Sequence, residues 1–370
     1  MQRRAAMTEE RWRHSMSPST ETFEHEAWAR KYLARLYADE TREYACWAKT
    51  PAGIAAWQSV ARPALRRLLG LERMARELRD HQPTTDLGDI EDLGDFTRQG
   101  GRIETEPDVR IPFWLLKPKE PGPRPLAVTP HGHEARGFDT YAGITQTEEQ
   151  YRQRIVEAEA DVAVQAAKRG FIAIAPSTRG FEPSVIPDLN KRHGDRDCRS
   201  HLIHCLLAGR TVIGERVWDM ERIIDWAVTL PEVDSERILM MGNSGGGVCT
   251  TYAAACDTRV TVAVPSCSFA TYVGRNGLVH HCDCNTVPGI LRFGEFSDVA
   301  GLIAPRHLLI VNGKQDPLFP LAEVDRAVAG VRAIYGAAGE PERFGHQYGP
   351  EGHRFYGDIM WPFVEEAVRA

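Results

Sequence analysis

Nothing in these 370 residues approaches the ~18 consecutive apolar residues of a membrane-spanning helix. The opening segment, MQRRAAMTEERWRH, also lacks the apolar core of roughly 7–15 residues that a secretory leader needs. A cytoplasmic location and no membrane partner are therefore expected. No basic stripe stands out either: 45 Lys and Arg are outnumbered by 51 Asp and Glu, for a net charge of −6. That balance argues against a nucleic-acid partner. Cysteine is scarce, at eight residues, and Cys46, Cys198, Cys205, Cys249, Cys256, Cys267, Cys282 and Cys284 are scattered. Reduced thiols, not a disulfide framework, are the default for such spacing. The glycines form neither G-x-G-x-x-G nor a P-loop, which removes support for a nucleotide. Internal repeats and low-complexity segments are missing as well.

What is there is a globular balance, 42% hydrophobic and 26% charged, with length for one large domain or two ordinary ones. Residues 1–19 are polar and unpatterned and read as a frayed end. From Glu21 to about Leu78 the spacing is helical: Trp28, Tyr32, Leu33 and Leu36 fall three to four apart, and ARPALRRLLGLERMARELRD repeats the pattern. Residues 1–85 are thus expected to form a helical extension or cap, and 86–370 a second, larger domain. Its first strands, FTRQGGRIETEP and IPFWLLKPK, should pair antiparallel. After PLAVTPHGH, short apolar runs alternate with helical segments: IVEAEADVAVQAAKRG, FIAIAPSTRG, a long helix over LLAGRTVIGERVWDMERIIDWAVTL, RILMMGNSG, an Ala-rich helix, RVTVAVPSC, an irregular insert at 270–304, RHLLIVNGKQD, a helix over 321–336, and a last helix from about Tyr356. Such alternation implies an α/β fold with a mostly parallel sheet covered on both faces.

In that architecture ligands bind beyond the carboxyl ends of the strands. Gly242-Asn243-Ser244-Gly245-Gly246 spells G-x-S-x-G at such an end. Glycines there permit a sharp strand-to-helix turn that presents the serine, and the helix N-terminus behind it favours developing negative charge. The pentapeptide alone is equally a Gly-rich turn with a capping serine. A serine nucleophile needs a base, and the base an orienting acid. HLLIVNGKQDPLFP supplies Asp316 just after an apolar strand, and GPEGHRF supplies His353 in a Gly-rich loop. The order Ser244, Asp316, His353 is the one this fold uses. Asp298, Asp325, Glu351 and His346 are weaker alternatives, since none of the acids directly follows an apolar strand and His346 falls within or at the end of one.

The sequence resembles the α/β-hydrolases of the bacterial esterase branch that includes acetyl xylan esterase-like and dienelactone hydrolase-like proteins. The resemblance runs over roughly residues 100–370 and is carried by HGH (131–133), RGF (179–181), GRTVIGERVWDMERIIDW (209–226), GNSGG (242–246), the stretch from CNTVPGIL to QDPLFP (284–320) and GPEGHRF (349–355). It implies a serine hydrolase of carboxylic esters, with Ser244 as nucleophile, His353 as base and Asp316 as orienting acid. It further implies an oxyanion hole from the backbone N–H groups of Gly245 and His133, with His131 tying its loop to the sheet. No cofactor is expected, the partner is a small ester substrate, and nothing speaks against a homo-oligomer. The helical extension and the polar insert would narrow the mouth and favour short acyl groups. A peptidase or amidase, a C–C bond hydrolase or a non-catalytic binding protein are the alternatives.

Other clusters suggest no chemistry. HHCDC places His280, His281, Cys282 and Cys284 within one short segment, but zinc sites space their cysteines two to four apart and draw a second pair from elsewhere, and no second pair is evident. CRSHLIHC, with Cys198, His201, His204 and Cys205, reads as a partly buried helix start. Metal is therefore not expected. Arg179 reads as the brace of a turn, and Trp218 and Trp226 as core.

Overall fold

The computed structural model describes residues 20–38, 41–185, 197–274, 277–279 and 282–369. The chain forms two compact units, Met1–Glu43 and Tyr44–Ala370. The first contains one long helix, α1 (Thr20–Leu36), on which Trp28 and Tyr32 stack one turn apart with centroids at 6.0 Å.

The second unit begins with α2 (Pro51–Leu69), started by Pro51 and by Thr50, whose side chain accepts a hydrogen bond from the Gly53 N–H. Gly70, at φ 86°, turns the chain into α3 (Leu71–Glu77). Ile54, Ala61, Ala64, Leu65 and Leu69 form a buried stripe on α2. It packs along the outside of a helical layer: Arg62 Nε donates to Ala255 O at 2.9 Å and Gln58 Nε2 to Ala304 O at 2.6 Å. These residues, read from sequence as part of an extension or cap, belong to the same compact unit as the sheet.

That sheet has nine strands: β1 (Thr84–Asp92), β2 (Phe96–Glu106), β3 (Val109–Pro118), β4 (Arg124–Val128), β5 (Ile172–Pro176), β6 (Val233–Asn243), β7 (Val262–Ser266), β8 (His307–Gly313) and β9 (Phe344–Gly349), in the order β1-β2-β3-β5-β4-β6-β7-β8-β9. The first three and the β3–β5 pair run antiparallel, and every pair from β5 to β9 runs parallel. The parallel strands are continuous apolar runs because both faces are covered. Leu126 and Val128, Ile238 and Met240, Leu308 and Ile310 enter one core; Ala127, Leu239 and Met241, Leu309 and Val311 enter the other. Against the first pack α6 (Val212–Ala227), α7 (Gly245–Cys256) and α9 (Leu321–Ala338); against the second, α4 (Val162–Lys168) and α10 (Gly357–Ala367). Helix α5 (Asp197–Ala208) and α8 (Phe296–Gly301) complete the longer helices.

Three expectations need correction. The long helix foreseen over 206–230 breaks at Gly209–Thr211, where Thr211 caps α6 by accepting from the Gly214 N–H at 2.9 Å. The helical segment at 155–170 is divided, with Glu159 at φ 53° between a π-helical turn and α4. Strand β1 was not anticipated, because TTDLGDIED is almost wholly exposed and polar and carries no periodic apolar signal. None of the described helices is long and apolar enough to cross a membrane.

Candidate active site

Strand order reverses around β4, which has β5 on one side and β6 on the other. Their carboxyl ends therefore frame a crevice at the switch point of the sheet. Ser244 stands between the end of β6 and the start of α7 with φ 56° and ψ −123°, a strained conformation of the kind found at functional turns. It is pinned by its N–H donating to Ser266 O at 2.9 Å and its carbonyl accepting from Val248 at 3.0 Å. The glycine beyond it answers to close approach: a Cβ on Gly246 would lie 2.0 Å from Pro130 O. The loop after β4 thus presses directly on the elbow. A Cβ on Gly245 would meet the His133 ring at 2.9 Å, so His133 lies alongside the serine turn as its place in HGH suggested.

His131 is buried and doubly held. Its Nε2 accepts from the Thr178 N–H at 2.9 Å, which leaves the proton on Nδ1, donated to Gly132 O at 2.8 Å. Burial lowers its pKa to about 3, so the ring is a neutral tie between the loops after β4 and β5, the structural role expected of it.

The acid and the histidine stand at the ends of β8 and β9. Asp316 is buried, and its Oδ1 accepts from the Leu318 N–H at 2.9 Å while Oδ2 accepts from His353 Nδ1 at 2.6 Å. Gly313 lets the two loops meet, since a Cβ there would strike Gly352 O at 2.0 Å. The Phe319 ring lies nearly parallel to His353, with centroids at 6.5 Å. The elbow reaches this pair across β7: Ser244 bonds Ser266 O, and Ser266 Oγ donates to Arg354 O at 3.3 Å. The weaker alternatives are engaged elsewhere. Asp298 closes the capping box of α8, Asp325 accepts from Tyr348 Oη, Glu351 pairs with Arg354, and His346 lies inside β9.

Two groups of neighbours escaped the sequence reading. Cys267, directly after β7 at φ 43°, brings its sulfur to within 4.8 Å of the ligating atoms of Asp316 and His353. Burial, and then the Asp316 charge, push its thiol up to about 12, so it stays protonated; its strand-end position was the available signal. Second, the reading that HHCDC lacks a second half is corrected. Cys198 of α5 meets Cys282, Cys284 and His133, all four within 4.8 Å. The 84-residue separation of Cys198 from Cys282, and the 151 of His133 from Cys284, hid this from a spacing argument. His280 and His281 lie outside the described residues. Arg179 does brace its turn, bonding Asp219 at 2.7 and 2.6 Å and Glu215 at 3.2 Å. Trp218 is buried, and Trp226 lies against Phe113 with ring centroids at 5.1 Å.

Residues 104–276 match the family model described as acetyl xylan esterase (AXE1). The strand-end serine, the two outward loops and the nine-stranded, largely parallel sheet complete the pattern. The chain has the α/β-hydrolase fold. A protein of Bacteroides fragilis NCTC 9343 provisionally termed an acetyl xylan esterase superposes at a TM-score of 0.72 with 17% identity, covering 91% of this chain and 94% of its own. A glucuronoyl esterase from Solibacter usitatus superposes at 0.59 with 16% identity, covering 84% and 93%. These are likenesses of fold. YtaP of Bacillus subtilis (strain 168), provisionally termed a hydrolase, is 28% identical over 151 residues, 40% of this chain; the match spans about half, 50%, of that relative's length.

Proposed function

We propose that this α/β-hydrolase is a serine esterase that cleaves carboxylic esters of short acyl groups. The observation that carries the reading is a strained, strand-end serine on a sheet whose later strand-end loops hold a histidine at 2.6 Å from a buried aspartate. Ser244 Oγ attacks the acyl carbonyl while His353 Nε2 takes its proton. Asp316 keeps the His353 proton on Nδ1, so that Nε2 faces the serine as a base, and it stabilises the imidazolium that forms. The oxyanion is met by the N–H of Gly245, in the first turn of α7 where intrahelical acceptors are lacking, and by the N–H of His133. His353 then returns the proton to the leaving alcohol. Water, deprotonated by the same imidazole, releases the acyl group from Ser244.

Two things support a small acyl group: the His133 ring crowded against Gly245, and the similarity of residues 104–276 to acetyl xylan esterases. A fluorophosphonate probe followed by peptide mapping tests the nucleophile, with labelling expected at Ser244. The kcat/KM for p-nitrophenyl acetate, butyrate and octanoate tests the acyl size, with acetate expected to lead. Failure of Ser244 to label, or a preference for octanoate, refutes the corresponding part.

A further inference from the structure

Four side chains that the esterase chemistry leaves unused converge beside the elbow. Cys198 comes from the first turn of α5, Cys282 and Cys284 from the insert, and the His133 ring from the loop after β4. Cys198 Sγ lies 3.6 Å from Cys282 Sγ, Cys282 Sγ 3.5 Å from Cys284 Sγ, and His133 Nε2 3.3 Å from Cys284 Sγ. A tetrahedral zinc with Zn–S of about 2.3 Å and Zn–N of about 2.0–2.1 Å has S···S edges near ~3.8 Å and S···N edges near ~3.6 Å. These three edges fall short of that figure by only about 0.2–0.3 Å. The three cysteines are buried, while His133 is exposed, so three sides are closed and one admits an ion. All three sulfurs are free thiols.

A second observation concerns charge. Arg216 is fully buried, and its guanidinium donates to Arg179 O at 3.1 and 3.0 Å, to Asn285 Oδ1 at 3.4 Å and to Cys284 Sγ at 3.4 Å. Among the described residues no carboxylate pairs with it. A buried cation without a counter-charge is costly. A Zn²⁺ ion held by three thiolates and a neutral imidazole carries one net negative charge, which Arg216 would cancel. The neighbouring trio His201, Cys205 and Glu215 is also closely grouped, yet there Glu215 is already committed to Arg179, Arg210 and His201, and no cation is called for.

We propose that Cys198, Cys282, Cys284 and His133 bind one Zn²⁺ ion in a closed tetrahedral site that staples the loop after β4 to α5 and the insert. On binding, the thiols release their protons to solvent, and His133 binds through neutral Nε2. Four protein ligands leave no position for an activated water, so the ion is structural. Its effect is to hold the 131–133 loop against the elbow.

The test uses the full-length protein, produced in zinc-supplemented medium, purified without chelator and analysed by plasma mass spectrometry. About one zinc per chain is expected, as for a Cys₃His site. Folded Cys198→Ser and Cys282→Ser should lose at least about nine-tenths of it, whereas Cys256→Ser, a buried cysteine at the far end of α7, should keep it. If the two serine variants do not fold, wild-type protein stripped and titrated with Co²⁺ gives the answer: thiolate-to-metal charge transfer and tetrahedral d–d bands are expected. Hydrogen exchange of residues 130–136 should quicken on stripping. Wild-type protein that carries no zinc and develops no cobalt spectrum overturns the proposal. So does zinc retained by folded Cys282→Ser, or a disulfide joining any two of the three cysteines in the freshly isolated protein.

Discussion

Two histidine–carboxylate pairs in this molecule have nearly the same bond and opposite surroundings. His353 Nδ1 stands 2.6 Å from Asp316, and His201 Nε2 stands 2.7 Å from Glu215. Glu215 also receives Arg179 and Arg210, at 3.2 and 3.1 Å, and the His201 ring is wholly buried. Asp316 has no arginine or lysine partner among the described residues, and the His353 side chain remains 25% exposed. An imidazole whose far nitrogen is open, on a carboxylate that no fixed cation has claimed, is suited to exchange protons with a ligand. One sealed against a carboxylate that two guanidiniums already hold is suited to joining α5 to α6. The bond alone therefore does not mark a catalytic pair; access to the second nitrogen does.

The sharpest way to break the comparison acts on the serine proposed to work with the open pair. Ser244→Ala should lower kcat for p-nitrophenyl acetate by ~10⁶-fold, the scale seen when a triad nucleophile is removed, with no loss in urea midpoint because the serine contributes little packing. Residual turnover within about a hundredfold of wild type would remove Ser244 from the chemistry.

Next in size, Asp316→Asn should cost ~10⁴ in kcat through the wrong His353 tautomer. Asp298→Asn and Glu351→Gln should leave kcat nearly unchanged, because their carboxylates serve a helix cap and a surface ion pair. A silent Asp316→Asn beside a crippled Glu351→Gln would exchange their roles.

The sealed pair should respond in the opposite currency. Glu215→Gln leaves Arg179 and Arg210 short of a buried counter-charge, and breaking such a network by one partner costs about 3–5 kcal/mol. The kcat of the folded fraction should stay within about twofold, since Glu215 touches no reacting atom. A chemical denaturation curve and steady-state kinetics on one preparation separate the two outcomes. A large fall in kcat with unchanged stability would merge the two pairs into one functional unit.

The open pair was legible in the sequence and the sealed one was not, for a reason of chain geometry. Ser244 directly follows β6, and Asp316 and His353 lie in the short loops just beyond β8 and β9, so strand ends along the chain point to them. Glu106, Arg179, His201, Arg210, Glu215 and Asp219 come from the end of β2, the loop after β5, two helices and the break between them. No linear pattern relates those positions. Expecting one unbroken helix over 206–230 also concealed the network, because the turn at Gly209–Thr211 is what brings Arg210 to Glu215. Cys198, Cys282 and Cys284 were each noticed, and were set aside because metal-site spacing is a local rule applied to a long-range cluster.

The smallest expected effect lies in acid. Burial alone would raise the Glu215 pKa, but His201 and Arg179 overcome it and hold the carboxyl at about 2, against an ordinary 4.5. A depressed acid binds fewer protons folded than unfolded, so its stabilisation is complete above about 4.5 and is lost as pH falls through 4.5 toward 2. The depression corresponds to on the order of 3 kcal/mol, an upper figure for a group tied to several partners. Other carboxylates titrate in the same window, so the informative quantity is a difference. Urea midpoints taken from pH 6 down to 3 should fall more steeply for wild type than for Glu215→Gln, and the gap between them should narrow as the pH drops. Parallel curves would mean that Glu215 titrates normally. The two arginines would then not distinguish the sealed pair from the open one, and exposure of the imidazole would be the whole of the difference.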